Sequence, residues 1–262
     1  MTNFKRNPAT MPDGYIVLPT IPDPGVPTVA YARWGCYYNW HAINSGNGLA
    51  PDGYKIPSRG DFETLRSYIG DNYDPASIDK VYNVEFAAMY SAVLMANAWW
   101  GFYGEYYTGT NESGYNWLPA GRLNRNGNFR NQSFTCSSWT SSTTSGGSPI
   151  VFGPHGGTGL SPGFTIGIAG ETIARYKRWG YNVRCLLESG ETPPANGKAE
   201  DVEGNPYDVI QIGTQYWMAQ NLRTTKFKNG NSIAQGVDAG DWETKSNNGA
   251  AFAYYNFNAN YV

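Results

Sequence analysis

Aromatic residues recur along almost the whole of this chain, and they stand among glycines, prolines and short polar runs rather than in long apolar blocks. The 262 residues include 9 Trp, 20 Tyr, 11 Phe, 32 Gly and 16 Pro. A helical bundle or a long coiled coil would carry more Ala, Leu, Glu and Lys, and a disordered chain would not hold so many aromatics. The pattern predicts a loop-rich globular protein whose rings build a core or a binding surface.

The charge balance limits the classes of partner that the protein is expected to bind. Nineteen Lys and Arg oppose 21 Asp and Glu, so the net charge is −2. Because a protein that binds phosphates usually has a basic excess, we expect no nucleic-acid partner. No stretch approaches 18 consecutive apolar residues, so no membrane insertion is expected. Lys5 and Arg6 lack the apolar core of a signal peptide behind them, which favours a cytoplasmic protein, one assembled into a virus particle, or a mature form without its leader.

The first hundred residues predict an arm, a strand region and two helices. Residues 1–29 are rich in proline, which favours extended backbone, and we interpret them as an arm that joins a partner, with a disordered tail as the alternative. The run VAYARWGCYYNWHAI, from Val29, predicts a strand or a pair of strands. The hydroxyl of Ser58 followed by an aspartate three residues later resembles a capping box. Helices are therefore expected over 59–69, and from apolar periodicity within 76–97.

Beyond residue 98 the sequence favours short strands and long loops. No helical period survives over 98–190, where glycines and Ser/Thr clusters separate short apolar runs. The clearest late strand is expected over 180–188. Residues 189–199 have the composition of a linker. The stretch 201–230 predicts a hairpin, since alternating apolar residues are broken by Gly213 and by an Asn-Gly turn signal.

Groups suited to catalysis are scarce. The chain has no GxSxG, HExxH or P-loop motif, and we interpret His41 as a core or edge histidine. The odd number of cysteines without a CxxC spacing favours three buried thiols rather than a disulfide framework or a zinc site; these are Cys36, Cys136 and Cys185. The densest acidic group is interpreted as helix-flanking surface; it consists of Asp71, Asp74 and Asp79. No cofactor and no metal are expected.

Four stretches together resemble a known family. They are CYYNWHAI with LAPDGYKIPSRGDFETLRSYIG at 36–70, GYNWLPAGRLNRNGNFRNQSFTCSSWTSST at 114–143, GYNVRCLLE at 180–188 and DVEGNPYDVIQIGTQYWMAQNLRTTKFKNG at 201–230. They resemble the Fibrobacter succinogenes major paralogous (FISUMP) domain, over about 30–190 and 200–262. The resemblance implies an α+β protein with a C-type lectin-like fold, two helices, short antiparallel strands and long loops. Ala50 stands where the family usually has a cysteine, so a disulfide through that position is excluded.

The order of the segments differs from that of the family. The stretch that opens the family's domain here follows its closing strand. Circular permutation explains this order if the linker joins the C-terminus of the usual family domain to its N-terminus. Exchange also explains it if the last segment completes the domain of a neighbouring subunit; a truncated second copy is a third alternative. The predicted divisions are the arm 1–29, the main part of the domain 30–188, the linker 189–199 and the family's opening segment 200–262.

A binding surface is the positive signal that remains. Aromatics beside small polar residues are typical of antibody-like binding surfaces. The apolar-flanked tryptophans are expected in the core, namely Trp99, Trp100, Trp117 and Trp139. By resemblance to the variable proteins of diversity-generating retroelements, which share this fold, the ligand surface is expected over 144–181. The candidate ligand-binding residues are Tyr103, Tyr106, Tyr107, His155, Tyr176, Arg178 and Trp179, and exposure is expected for most of them.

These observations predict a non-enzymatic lectin-like binding or structural module. The first expectation is a phage virion component, a head fibre, tail fibre or receptor-binding protein, that recognises a host-surface glycan or protein and docks through residues 1–29 onto other virion subunits. The alternative is a bacterial cell-surface adhesin or lipoprotein module. A second alternative is an enzyme related to the formylglycine-generating group, which would need a reactive pair formed by Cys136 and Cys185. A homo-oligomer is expected in either binding role.

Overall fold

The computed structural model describes residues 5–6, 34–72, 99–102, 105–108, 111–118, 120–132, 135–154, 162–166 and 172–259. The helices in these ranges are α1 Trp40–Ile43, α2 Arg59–Asn72, α3 Ile173–Tyr176 and α4 Ala239–Asn248, with a 3-10 turn at Tyr255–Phe257. The strands are β1 Lys5–Arg6, β2 Tyr37–Tyr38, β3 Tyr54–Lys55, β4 Trp99–Phe102, β5 Glu105–Thr108, β6 Arg122–Leu123, β7 Phe129–Arg130, β8 Ser138–Thr143, β9 Pro149–Pro154, β10 Pro162–Ile166, β11 Leu186–Leu187, β12 Lys198–Glu200, β13 Pro206–Ile212, β14 Gln215–Met218, β15 Ala234–Gln235 and β16 Ala251–Ala253. This mixture confirms the predicted α+β class.

The predicted helix at 59–69 is confirmed, and it continues past Gly70 to Asn72. Its first turn is fixed by a reciprocal pair of hydrogen bonds. The backbone N–H of Asp61 donates to the Ser58 hydroxyl at 3.2 Å, and the Asp61 carboxylate accepts from the Ser58 backbone N–H at 2.7 Å. These bonds satisfy donors that a helix start otherwise leaves unpaired. The second predicted helix, within 76–97, lies outside the described residues.

The pKa of Asp61 makes this helix start sensitive to acid. Burial raises that pKa, but hydrogen bonds from Ser58 and from the Lys55 ammonium outweigh burial and hold it below 3.8. A lowered carboxyl pKa stabilises the fold above the unfolded-state pKa, and this stabilisation is lost as pH falls through the folded-state pKa. We expect Asp61→Asn to lower the free energy of unfolding by about 1–2 kcal/mol at pH 7. The loss should be smaller near about pH 3 than at pH 7, because the contribution of the carboxylate declines once the pH falls below the unfolded-state pKa.

Urea unfolding at the two pH values measures this prediction. The control is Glu63→Gln, which removes the same charge from an exposed i,i+4 pair with Arg59 on the same helix. Because exposed pairs contribute little, the control should change stability by less than about 0.5 kcal/mol at both pH values. A cost for Asp61→Asn that stays constant with pH would contradict the assignment.

Two local differences from the sequence expectations have physical reasons. The strand region expected from Val29 contains β2, but the chain then turns into α1, because the Asn39 side chain accepts from the Ala42 N–H at 3.1 Å and caps a helical turn. The region expected to lack helix contains the single turn α3, which Thr172 caps in the same way. Over the stretch 180–188, only Leu186–Leu187 forms a regular strand pairing, and isolated bridges hold the residues before it.

The central sheet combines strands from both ends of the described chain in the order β12-β13-β14-β11-β3. The predicted hairpin is confirmed as β13 and β14, with Ile212 opposite Gln215 across the turn at Gly213. Strand β14 then pairs antiparallel with β11, and Leu186 faces Trp217. Likewise β16 pairs antiparallel with β2 in the sheet β15-β16-β2. The segment from 200 onwards is therefore built into sheets of its own chain.

Aromatic rings form the core between these sheets. The Phe62 ring of α2 lies 4.4 Å from the Phe152 ring of β9 and 5.1 Å from the Trp217 ring of β14, measured between centroids. Trp117 stacks on the same Phe152 at 5.6 Å. Trp117 and Trp139 are both buried, which confirms their predicted core positions; Trp99 and Trp100 lie on β4, and their side chains are outside what the structure describes. Such rings bury large apolar areas where regular structure is short.

A buried arginine ties the two parts of the chain together. Arg184 is fully buried, and its guanidinium donates to the Asn221 side-chain oxygen from Nε at 3.2 Å and from Nη2 at 3.1 Å. It also donates to the backbone carbonyls of Tyr115 and Asn116, and its Cζ lies 4.6 Å from the centre of the Tyr115 ring. Burial lowers the pKa of Arg184, with the neighbouring Tyr115 acting in the opposite direction. Neutral acceptors surround this cation, because buried donors must be paired.

Candidate functional site

The structure describes only some of the predicted ligand-binding residues. Tyr103 and His155 lie outside the described residues. Tyr106 and Tyr107 belong to β5, and their side chains also lie outside what is described. The other three candidates lie on α3 or within three residues after it; they are Tyr176, Arg178 and Trp179.

Two of these three side chains are buried, so the expectation that Tyr176 is exposed is wrong and the indole of Trp179 offers no open face. Tyr176 is 1% exposed and packs edge-on against Trp139 at 5.7 Å. Burial raises the pKa of its hydroxyl well above the usual value. Trp179 is 7% exposed, and its ring stacks near Tyr181 with an interplanar angle of 17°. Because a sugar needs an exposed ring face to stack on, this site cannot work by stacking on Trp179.

A close backbone approach explains why this segment is buried. Gly180 and Leu123 exchange backbone hydrogen bonds of 2.8 and 2.9 Å, which dock β6 directly onto the residues after α3. A side chain at Gly180 would meet Leu123, Tyr37 and the Trp242 ring at 3.1 to 3.2 Å. The approach seats the Arg122 guanidinium over the Trp179 ring, with its Cζ 5.1 Å from the ring centre. Pairing between distant segments therefore buries Tyr176 and Trp179, which were predicted to bind a ligand, and Trp179 instead packs against Arg122.

The β6–β7 hairpin brings a second arginine to the same place. Arg122 and Arg130 are register partners across this antiparallel pair. Side chains directly opposite each other lie on one face of a sheet, with Cβ atoms about 4.5–5.5 Å apart. The turn between them is held by the Asn124 side chain, which accepts from the backbone N–H groups of Asn126 and Asn128 at 3.0 and 2.9 Å. Two residues of like charge are thus held on one face of the hairpin.

A third arginine, Arg178, contacts helix α4. The Arg178 Nη2 donates to the Glu243 backbone carbonyl at 3.0 Å and lies 3.7 Å from the Glu243 carboxylate. The adjacent Trp242 donates from its indole to the Asn124 carbonyl at 2.9 Å, so α4 supports the hairpin turn as well. We call the surface formed by Arg122, Arg130, Arg178 and Trp179 the arginine face.

Unpaired donors mark the arginine face. Three buried donors in and beneath it have no hydrogen-bond partner: Nε of Arg122, Nε of Arg178 and Nε1 of Trp179. Buried polar atoms without partners are uncommon in folded proteins. Within the described residues, Arg122 and Arg130 have no carboxylate at ion-pair distance, and Arg178 has only Glu243. The surface therefore carries more positive charge than its surroundings neutralise.

The sequence contained a signal for the two arginines that the predictions missed. The run RLNRNGNFR has an Asn-Gly pair, a strong hairpin signal, between Arg122 and Arg130. A two-residue turn at that pair would place Leu123 opposite Arg130, one residue away from the observed register, in which residues 124–128 form the connection and Arg122 lies opposite Arg130. The signal alone could not have indicated the docking onto Trp179, because that contact depends on residues distant in sequence.

The cysteines and the one described histidine are buried or half-buried. The three cysteines are free and buried, which confirms that prediction, and burial raises the pKa of each thiol. His41 is half-buried, and its pKa is lowered by burial and by Lys177. No group of three metal-ligating side chains occurs among the described residues. Of the three aspartates expected at the surface near the helix, Asp71 is exposed at the end of α2, and the others lie outside.

Comparison with known proteins finds a family. A sequence model described as the Fibrobacter succinogenes major domain matches residues 19–186. The match covers well over half of the chain and includes the whole arginine face. It begins inside the segment interpreted as the arm 1–29 and leaves the segment from 200 onwards outside. No curated protein and no solved structure matches the chain. No described helix has the length and apolar character that crossing a membrane requires.

Proposed function

The chain belongs to the Fibrobacter succinogenes major domain family, and on that premise we propose that it is a non-enzymatic binding and structural module. The observation that carries the proposal is the arginine face. It is held by a hairpin, a helix and a buried aromatic layer, and Arg122 and Arg130 have no carboxylate partner among the described residues. A rigid surface with cations that its surroundings do not neutralise suits recognition, because little ordering cost remains when a ligand binds.

The state of the thiols argues against the enzyme alternative. A formylglycine-type oxidation needs a reactive cysteine pair, and the thiolate is the reactive form. Burial raises the pKa of Cys136 and Cys185, so neither is poised to ionise near neutral pH. The Arg184 charge lowers the pKa of Cys136, but burial is the larger effect.

We expect the thiols to resist alkylation in the folded protein. At about pH 8, iodoacetamide should leave Cys36, Cys136 and Cys185 unmodified over a time in which the urea-unfolded chain reacts at all three. Intact-mass spectrometry measures the extent of labelling, and the unfolded chain is its own control. Rapid labelling of Cys136 or Cys185 in the folded protein would revive the enzyme alternative.

We propose further that the fold is C-type lectin-like and circularly permuted. Two features support permutation over exchange. The late strands β13 and β14 extend β11 of the same chain. Strand β16 pairs with β2, and the Tyr255 ring lies 4.4 Å from the Trp34 ring. The region around Trp34 therefore lies next to the region around Tyr255. In a family chain of the usual order, these two regions would be joined by continuous backbone.

A role as a phage virion component remains our first choice among binding modules, with a host-surface glycan or protein as the ligand. Its support is the proline-rich arm. Lys5 and Arg6 form an edge strand on β5, with Lys5 opposite Thr108 and Arg6 opposite Tyr107. The same edge is present on every copy, so an arm that pairs with a neighbouring subunit needs no new interface. We propose that this strand joins subunits in a homo-oligomeric fibre.

Cysteine cross-linking tests the arm. Opposite residues of an antiparallel pair have Cα atoms about 4.5–5.5 Å apart, which is within the range for a disulfide. Lys5→Cys and Thr108→Cys are made in separate chains, unfolded together, refolded and oxidised mildly. Arm exchange predicts covalent dimers that contain one chain of each kind. A mixture without dimers, together with an intramolecular bond in the double variant, would show that the arm stays on its own chain.

The alternative is a cell-surface adhesin or lipoprotein module. Gene context separates it from the virion role. Neighbouring genes for capsid or tail proteins are expected for the virion role, whereas a longer reading frame with a lipoprotein leader would favour the adhesin. Mass spectrometry of purified particles from the host culture gives a direct measurement, since a virion component must copurify with the particle.

A further inference from the structure

We propose that the arginine face binds the carboxylates of an acidic glycan, one that contains uronic or similar sugar acids. The inference rests on the proposed binding function and adds the ligand class and the residues that bind it. Arg122 and Arg130 are the main contacts, and Arg178 is the third.

The first support is electrostatic. Arg122 and Arg130 lie opposite each other on one face of the β6–β7 hairpin, and like charges in that relation destabilise a sheet. No carboxylate in the described part of the chain offsets the repulsion, since neither guanidinium forms an ion pair there and Arg178 pairs with Glu243. The chain as a whole is slightly acidic, with a net charge of −2, so the concentration of cations is local. An anion placed between the two guanidinium groups would relieve the repulsion.

The second support is the geometry of the guanidinium groups. Nε of Arg122 and Nε of Arg178 are buried, so an anion would meet each guanidinium at its Nη atoms. A guanidinium is a planar fork whose donors match the two oxygens of a carboxylate. The cation–π contact with Trp179 holds the Arg122 fork in place before any ligand arrives.

The third support separates an acidic sugar from a neutral one. Neutral sugars are commonly held by stacking on an open ring, and Trp179 is only 7% exposed. The groups that remain accessible at this face are guanidinium groups, together with the exposed amides of Asn126 and Asn128 in the hairpin turn. Guanidinium groups bind acid oxygens, and amides suit sugar hydroxyls. This combination favours a sugar acid.

Titration of the full chain with a galacturonic acid trisaccharide tests the inference. The matched probe is the same trisaccharide with its carboxyl groups reduced to alcohols. We expect binding of the acid form that weakens as salt is raised, and binding of the reduced form that is at least about tenfold weaker. The double variant Arg122→Ala/Arg130→Ala should also lose about tenfold or more in affinity for the acid form.

The control variant is Arg125→Ala, which removes the same charge from the turn of the same hairpin, where Arg125 contacts the Asn126 side chain. It should change the affinity by less than about twofold, because it lies off the arginine face. Arg122→Lys keeps the charge without the fork and should give an intermediate loss. Unfolding curves of all variants establish that they are folded.

Three results would overturn the inference. They are equal binding of the reduced trisaccharide, an equal loss in Arg125→Ala, and tighter binding of an oligoglutamate of the same charge, which would assign the face to an acidic protein. A failure of the proposed function looks different. In that case the protein binds no member of a broad panel of glycans and host-surface proteins, whereas a wrong ligand class leaves binding to another member intact.

Discussion

Replacing Arg184 with leucine should lower the free energy of unfolding by about 3 kcal/mol or more. The substitution leaves two buried acceptors without donors, the Asn221 side-chain oxygen and the Tyr115 carbonyl, and a partly buried one, the Asn116 carbonyl. Each unsatisfied buried group costs about 1–3 kcal/mol. The substitution also removes the cost of burying a charge, and this gain offsets part of the loss. The same cost of burial lowers the pKa of Arg184. The unpaired acceptors and the lost stacking on Tyr115 outweigh that gain.

Urea unfolding followed by fluorescence measures the effect, with Arg66→Leu as the control. Arg66 is exposed on α2, so its substitution should change stability by less than about 0.5 kcal/mol. The double variant Arg184→Leu/Asn221→Leu completes a cycle. It should cost less than the sum of the single variants, because it removes a donor and its acceptor together. An Arg184→Leu protein as stable as the wild type would mean that burying the charge costs as much as its hydrogen bonds return.

Replacing Gly35 with alanine should cost about 2–5 kcal/mol. Gly35 has a φ of +71°, a left-handed conformation that costs an L-residue about 1–2 kcal/mol. A Cβ there would also lie 2.6 Å from the Asn221 Cβ and 2.8 Å from the Leu222 carbonyl oxygen. The backbone of the late segment must then move, and overpacking of this kind costs about 1–3 kcal/mol.

Gly230→Ala separates the two contributions. Gly230 has a φ of +83°, but a Cβ there would meet nothing within 4 Å. Its alanine variant should therefore show only the backbone cost of about 1–2 kcal/mol. If urea midpoints move equally for the two variants, the close approach of Gly35 to Asn221 does not contribute to the stability.

Local features were predictable from the sequence, and contacts between distant segments were not. Helix α2 could be predicted because Ser58 and Asp61 form its cap within four residues. The β13–β14 hairpin was equally local. By contrast, the burial of Trp179 follows from the docking of β6 at Gly180, which no pattern near residue 179 encodes. The family resemblance identified the domain, but neither its motifs nor local periodicity indicated which side of each ring faces solvent.

The candidate site was predicted in part for the same reason. Arg178 was named from its place among aromatics, and the structure puts it on the arginine face beside Glu243. Arg122 and Arg130 were missed because each is an ordinary surface arginine in sequence. Only the strand register makes them a pair. The Asn-Gly pair locates the turn, but the length of the connection, and therefore the pairing of the two arginines, is known only from the structure.

The position of β14 inside the central sheet has a consequence for biosynthesis. This strand separates β13 from β11, and it is made only after residues 1–214 have been synthesised. Until then β11 has an open edge, Arg184 lacks Asn221, and the Phe62 ring lacks Trp217. The nascent chain therefore carries an unfinished aromatic core through most of its synthesis, and contacts of such long sequence separation form slowly. Production of this protein should depend on chaperones, and chains truncated before residue 215 should aggregate rather than fold.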